Sequence, residues 1–314
     1  MIAASSQAGA SRPRLEAASP RYREKAIHAF LALCAALSVV TTIGIVISLV
    51  GPSVEFFRQV PIFDFLFGTK WSPSIGGDFG VLPIVMGTFT VTLWGLLVAL
   101  PVGLGSAIFL SEYASPRVRK VLKPTLEVLA GVPTVAFGFF AFTFITPLLQ
   151  DIWPGFLGDE PNIFNAGAAG LAIGLLIVPI VASISEDAMS AVPGGLREGA
   201  YALGASKMRV ALRVVFPAAL SGIVAAVVLG ISRAVGETMV VLMAAGSTPN
   251  LGLSFTESVQ AMTAYIGVTA TGDIGTGTIE YNTIFAVGLL LFLITLVFNL
   301  FSIRLVRRYR EVYE

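Results

Sequence analysis

The chain has 314 residues, of which 55% are apolar and only 12% charged, and its mean hydropathy is +0.85. Soluble domains carry about 25% charged residues, so water is excluded as the solvent for most of this surface. A single cysteine, Cys34, and a single histidine, His28, exclude an intrachain disulfide, cysteine-based metal sites and most zinc, haem and Cys–His chemistry.

Residues 1–20 are rich in Ala, Ser and Pro and predict disorder. With the basic residues up to Lys25 they form an N-terminal segment, residues 1–25. Six apolar runs follow at residues 27–50, 82–110, 126–149, 166–185, 218–245 and 284–303. Each is long enough as a helix to cross a bilayer core, which takes about 20 residues. The first is too long for the apolar region of a cleaved signal peptide and reads as an uncleaved signal anchor. The second and fifth exceed what a span needs, which predicts tilt or a kink. Pro83, Pro101, Pro133, Pro147 and Pro179 fall within or at the ends of runs, where neighbouring protein or local water must satisfy the freed carbonyls. The expected fold class is an all-α polytopic membrane protein with six transmembrane helices over residues 26–310 and a short tail at 311–314.

Basic residues are segregated. Residues 1–25 carry Arg12, Arg14, Arg21, Arg23 and Lys25; the segment after the second run carries Arg117, Arg119, Lys120 and Lys123. The segment after the fourth carries Arg197, Lys207, Arg209 and Arg213, and the C-terminal end carries Arg304, Arg307, Arg308 and Arg310. The opposite side has only Arg58 and Lys70, so the positive-inside rule places both termini in the cytoplasm. The first outer loop, residues 53–80, holds Phe56, Phe57, Phe63, Phe65, Phe67 and Trp71, read as rings lying at the headgroup interface. Small residues recur at every fourth position: Gly95, Ala99, Gly103 and Ala107 in the second run, and Gly222, Ala226, Gly230 and Ala234 in the fifth. Gly170 and Gly174 do the same in the fourth. Such spacing lets helix backbones approach closely in lipid, and packing within the subunit is the expected use.

Residues 186–217 form a polar cytoplasmic segment between the fourth and fifth runs. Pro193-Gly194-Gly195 breaks the chain, residues 196–203 read as a short helix ended by Gly204, and residues 205–215 read as a second helix leading to Pro217. Two short helices joined at a glycine make an elbow able to seat in a groove and pass a push to the spans.

Here the chain resembles the permease subunits of ABC importers, whose cytoplasmic loop carries Glu-Ala-Ala, three residues, Gly, nine residues, Ile, one residue and Leu-Pro. This chain has Glu198-Gly199-Ala200, then Gly204, then Val214-Val215-Phe216-Pro217 at that spacing, with Gly199, Val214 and Phe216 as the departures. Further stretches narrow the resemblance to the PstC-type branch, over roughly residues 26–310: Gly77-Asp78-Phe79-Gly80, Leu110-Ser111-Glu112-Tyr113-Ala114, Ala130-Gly131-Val132-Pro133-Thr134, Gly138-Phe139-Phe140, Ser185-Glu186-Asp187-Ala188 and Arg233-Ala234-Val235-Gly236-Glu237-Thr238. The resemblance implies a type I ABC importer permease fold in the bacterial inner membrane and a share in importing inorganic phosphate. It implies a PstA-type permease beside the chain, a PstB-type ATPase dimer below it and a PstS-type phosphate-binding protein above. It also implies that Glu198, Gly199, Ala200, Gly204 and Pro217 belong to the segment that couples to the ATPase. A sister PstA-type subunit, or a permease for sulfate, molybdate or another oxyanion, stands as the alternative.

Arg233 and Glu237 lie four apart within the fifth run, on one helix face. An Arg near the bilayer midplane costs about 2.5–3.5 kcal/mol on insertion scales, so the side chain is expected to face protein or a water-filled path. Two readings stand: a structural ion pair tying the fifth span to its neighbours, or a path-lining site with Thr238 on the same turn. A guanidinium fork matches phosphate oxygens. Glu127, Glu186 and Asp187 read as solvated or loop-bonding carboxylates near cytoplasmic ends, and Asn299 as an interhelical hydrogen bond. The chain has no Gly-x-x-x-x-Gly-Lys-Ser/Thr loop, so ATP and Mg are expected on a partner ATPase and no cofactor on this chain. The expectation is a transport subunit and not an enzyme.

Overall fold

In a computed structural model, residues 22–309 are described; the basic N-terminal residues before Tyr22 and the tail after Tyr309 lie outside them. The chain divides into two units, residues 1–48 and 49–314. In the first, residues 22–48 are helical throughout, so helix begins within the last residues of the basic N-terminal segment, 1–25. Helix α1 is Tyr22–Gln59, followed by α2 (Ile62–Phe67) and the two short strands β1 (Trp71–Ser72) and β2 (Asp78–Phe79), antiparallel with Trp71 opposite Phe79. Then come α3 (Leu82–Ile108), a π-helical turn at Phe109–Tyr113, α4 (Pro116–Ala130), α5 (Thr134–Phe140), a second π turn at Ala141–Ile145, and α6 (Thr146–Ile152). Helix α7 (Ala166–Ser190) leads to α8 (Gly194–Ala202), α9 (Lys207–Val210), a third π turn at Ala211–Val215, α10 (Phe216–Ala218) and α11 (Leu220–Val235). Helices α12 (Met239–Ala244), α13 (Met262–Thr271) and α14 (Ile279–Tyr309) complete the order.

Among the described residues, five helical stretches are long and apolar enough to cross a membrane: Glu24–Gln59, Leu82–Tyr113, Thr134–Ile152, Ala166–Ser190 and Ile279–Arg304. The pair Lys207–Ala218 and Leu220–Val235, bent by 75°, makes a sixth if counted as one span. Two spans differ from expectation. The third begins at Thr134, not at residue 126, because Gly131-Val132-Pro133 interrupts the helix. Before that break, α4 is a separate amphipathic helix opened by Ser115, whose side chain accepts from the Val118 amide, and by Pro116 in its first turn. The fifth ends at Val235 and resumes as α12 after Gly236-Glu237-Thr238. Its bend follows Pro217, which has no amide hydrogen to donate and whose ring crowds the carbonyl a turn earlier.

Helix α7 is the hub. Gly170 and Gly174 face Gly95 across α3, where a Cβ on Gly170 would lie 2.5 Å from the Trp94 Cβ and one on Gly174 would lie 2.8 Å from the Gly95 carbonyl oxygen. Ala99, Gly103 and Ala107 are buried on the same stripe, and the α11 stripe meets α7 as well, a Cβ on Gly230 falling 3.0 Å from Ile177. The small-residue pattern serves packing inside the subunit. The amino end of α7 is closed by Asn165, whose side chain accepts from the Ala168 amide at 2.7 Å, and by the irregular segment after α12, whose Phe255 and Glu257 carbonyls accept from Gly167 and Ala166.

The aromatic loop departs from the expected interfacial placement. Phe56, Phe65 and Trp71 are buried in a cluster with Tyr265 of α13, and the Trp71 and Tyr265 rings stand 4.8 Å apart edge to face. The strand pair folds Trp71 back over α3, and α13 supplies the far wall, so these rings find protein before they find headgroups. Phe63 and Phe67 alone remain exposed and stacked.

Candidate functional site

The break in the fifth span positions the predicted charge pair. Arg233 occupies the last turn of α11, and Glu237 lies in the non-helical link to α12. The pair is made, Arg233 Nη1 to Glu237 Oε2 at 3.4 Å, but its members differ: the Glu237 side chain is 2% exposed and that of Arg233 41%. Glu237 is held from several sides. Its Oε1 accepts from the amides of Met239 at 3.1 Å and Val240 at 3.4 Å, two of the unpaired donors that open α12. Its backbone carbonyl accepts from the Thr263 hydroxyl of α13 at 2.7 Å, and its amide donates to Ala234. Glu237 thus knits α11, α12 and α13 together, its carboxylate reaching α11 and α12 and its backbone carbonyl α13, while the Arg233 side chain stays 41% exposed. Thr238 is adjacent, its hydroxyl 3.5 Å from the Gly236 carbonyl, a long bond that leaves the group able to turn elsewhere. Asn299 meets α11 as expected, accepting from Ser232 at 3.4 Å.

The predicted coupling residues fall together on the elbow. Helix α8 buries no residue, and Glu198 and Gly199 are exposed. Ala200 faces the body, packed with Ala205 against the buried cluster of Met189, Val210 and Val215. Gly204 has a φ of +77°, a conformation that L side chains resist. Its amide donates to Tyr201 and that of Ala205 to Ala200, the paired bonds of a Schellman helix end. This geometry accounts for the sequence spacing. A small residue four before the glycine allows the turn to close against the body, and the glycine supplies the left-handed residue. Pro217 stands where α10 gives way to the 75° bend.

A further constellation escaped the sequence reading. Glu186, expected to be solvated, is fully buried at the carboxyl end of α7. It pairs with Arg119 and, through Oε2 at 2.8 Å, with Lys123, both on α4. Ser190 donates to its Oε1 at 2.8 Å and in turn accepts from Arg119. Asp187 also pairs with Lys123 but is itself exposed. Burial pulls the Lys123 pKa down, yet the bonds to Asp187 and Glu186 outweigh it and hold the ammonium above its ordinary value. The signal was available: an acid at the end of an apolar run, and an i, i+4 basic pair on the amphipathic α4.

Comparison with known proteins places this geometry. Residues 99–311 match the family described as the binding-protein-dependent transport system inner membrane component. The chain belongs to that family. A probable ABC transporter permease, YqgH of Bacillus subtilis, is 34% identical over 85% of each chain. The phosphate transport system permease protein PstC of Haemophilus influenzae is 32% identical over 84% of this chain and 87% of its own. Among solved structures, a bacterial alginate ABC transporter in complex with its pentasaccharide-bound periplasmic protein superposes with a TM-score of 0.63 at 17% identity, covering 91% of this chain and 96% of that one. The inward-facing MetNI methionine ABC transporter gives 0.52 at 21%, covering 74% and 94%. These two likenesses speak to the fold alone, which is that of a type I ABC importer permease. The protein is a multi-pass inner-membrane transport subunit.

Proposed function

We propose that this chain is the PstC-type permease subunit of an ATP-driven phosphate importer, and that Arg233 borders the anion's path. One observation carries the path assignment: Glu237 is tied down by the α12 amides and Thr263, which leaves the half-exposed Arg233 guanidinium only partly neutralised. A fixed carboxylate beside a half-exposed guanidinium suits weak, transient capture of an oxyanion and prompt release. Thr238 adds a hydroxyl one residue beyond the carboxylate. The chain pairs with a PstA-type permease, receives phosphate from a PstS-type binding protein and docks through α8 on a PstB-type ATPase dimer, which holds the ATP and Mg. The PstC-named relative of similar length supports phosphate as the substrate.

Uptake of radiolabelled phosphate, in cells lacking their own importer and given the four-part system, tests this reading. Wild type, Arg233→Gln and Glu198→Lys are compared at matched membrane abundance, with unlabelled sulfate as competitor. Phosphate should enter with wild type, resist sulfate and fall by about two orders of magnitude in Arg233→Gln, the scale on which one charge-assisted contact of about 3 kcal/mol acts. It should fall in Glu198→Lys through loss of the ATPase. Normal uptake with Arg233→Gln would sink the path assignment; sulfate winning the competition would sink the substrate.

A further inference from the structure

One guanidinium, its side chain 20% exposed, ties the first helix of the elbow to the ends of two spans. Arg197, one residue before the exposed Glu198, turns back from α8. Its Nη1 donates to the Val192 carbonyl at 2.6 Å and its Nη2 to the Met189 carbonyl at 2.7 Å, both at the carboxyl end of α7. Its Nε donates to Glu112 Oε1 at 3.1 Å, in the π turn that ends α3, and the Glu112 side chain is only 5% exposed. The Ser111 hydroxyl donates to the same oxygen at 3.2 Å. The next residue, Tyr113, takes the Lys207 ammonium over its ring at 5.0 Å and donates its hydroxyl to the Met208 sulfur at 3.5 Å. The end of α3 therefore meets α8 through Glu112 and α9 through Tyr113. The π turn presents these two consecutive side chains to the elbow, and its wider ring is closed by the Ala114 amide on the Phe109 carbonyl.

We infer that the Glu112–Arg197 pair is the positioning element that carries movement of α8 into α3 and α7, so that ATPase-driven displacement of the elbow becomes displacement of the spans. This rests on the reading of α8 as the ATPase-docking helix. Three features support it. The contact converges from one side chain of the docking helix on the ends of the two most closely packed helices. It is largely buried, with Glu112 5% and Arg197 20% exposed, so water screens it little. Its fork geometry transmits a push and a pull alike, where a flexible apolar contact would slip. A lysine at 197 keeps the charge and loses the fork, since one ammonium does not reach both carbonyls and the carboxylate together.

The test uses proteoliposomes of the four-part system, with ATP on the ATPase side, inorganic phosphate on the other, and three readouts: ATPase co-purifying with the permease, ATP hydrolysis, and phosphate taken up per ATP. Glu112→Gln, Arg197→Lys and the double variant are compared with Glu198→Lys. The expected result is retained ATPase and hydrolysis in both single variants, with uptake per ATP down about tenfold, within the range of coupling between distant sites. The double variant should fall no further than the worse single one, because both interrupt the same contact. Unchanged uptake per ATP in Glu112→Gln and Arg197→Lys, with Glu198→Lys losing the ATPase, overturns this inference and leaves docking through α8 standing. Uptake and hydrolysis falling together in proportion marks the pair as mere support and overturns it too. Glu198→Lys keeping both ATPase and uptake overturns the docking reading and this inference with it.

Discussion

Two acidic residues sit buried on opposite sides of this molecule's function, and their partners differ. Glu186 receives Arg119, Lys123 and Ser190, and each of its two cations has a second partner, Arg119 in Ser190 and Lys123 in Asp187. Glu237 is equally buried, yet it spends one oxygen on backbone amides and leaves Arg233 half-exposed at 3.4 Å. A saturated cluster fixes geometry, since any arriving ion would have to displace a bond already made. An unsaturated one leaves donors for a passing anion. The comparison separates a clamp from a port by the hydrogen bonds that remain to be made.

The largest expected effect tests the separation directly. Arg233→Gln should abolish most phosphate uptake while leaving thermal stability close to wild type, because the Arg233 side chain is 41% exposed and Glu237 keeps its amide partners. Glu186→Gln should do the reverse. Removing the charge leaves Arg119 and Lys123 facing a neutral amide at the buried end of α7, a loss of about 2 kcal/mol, read as a melting temperature lower by several degrees. Uptake per correctly folded molecule should hardly change. If Glu186→Gln instead preserves the melting temperature and stops uptake, the clamp is a gate and the contrast collapses.

The two sites were not equally legible. Six apolar runs, basic loops and the spacing from Glu198 to Pro217 follow from local chemistry; among the described residues five of the runs are helical spans with shifted boundaries, and the fifth run is a sixth if its bent pair counts as one. Arg233 and Glu237 were found because charge inside an apolar run is conspicuous. Their inequality was not, since it depends on Thr263 approaching from α13 and on the helix stopping at Gly236, and a Gly among small and branched residues is as common within a span as at its end. Glu186 was misread for a related reason. Its burial requires α4 to fold over α7, a contact between residues 63 positions apart for Lys123. That in turn required the third span to begin after Pro133. Phe56, Phe65 and Trp71 close against Tyr265, far along the chain, and no local pattern announces such a partner. Arg197 stood inside the recognised loop, but a basic residue there looked like one more cytoplasmic charge until its carbonyl partners were placed.

The smallest effect concerns the rim of the clamp. Asp187 is 61% exposed and shares Lys123 with Glu186, so Asp187→Asn should cost only about 0–1 kcal/mol, as exposed pairs do. Lys123 itself supplies the pH test. Its pKa is raised in the folded chain, burial notwithstanding, by Asp187 and Glu186, so its contribution is fully present below the ordinary lysine value and is lost only as pH rises through the higher folded one. The melting-temperature gap between wild type and Lys123→Met should therefore stay flat from about pH 6 to about pH 9 and close only beyond the ordinary lysine range. A gap that opens or closes near neutrality would mean that the bonds between this cluster and α4 are made and broken there by something other than the Lys123 ammonium, and the saturated site would resemble the open one after all.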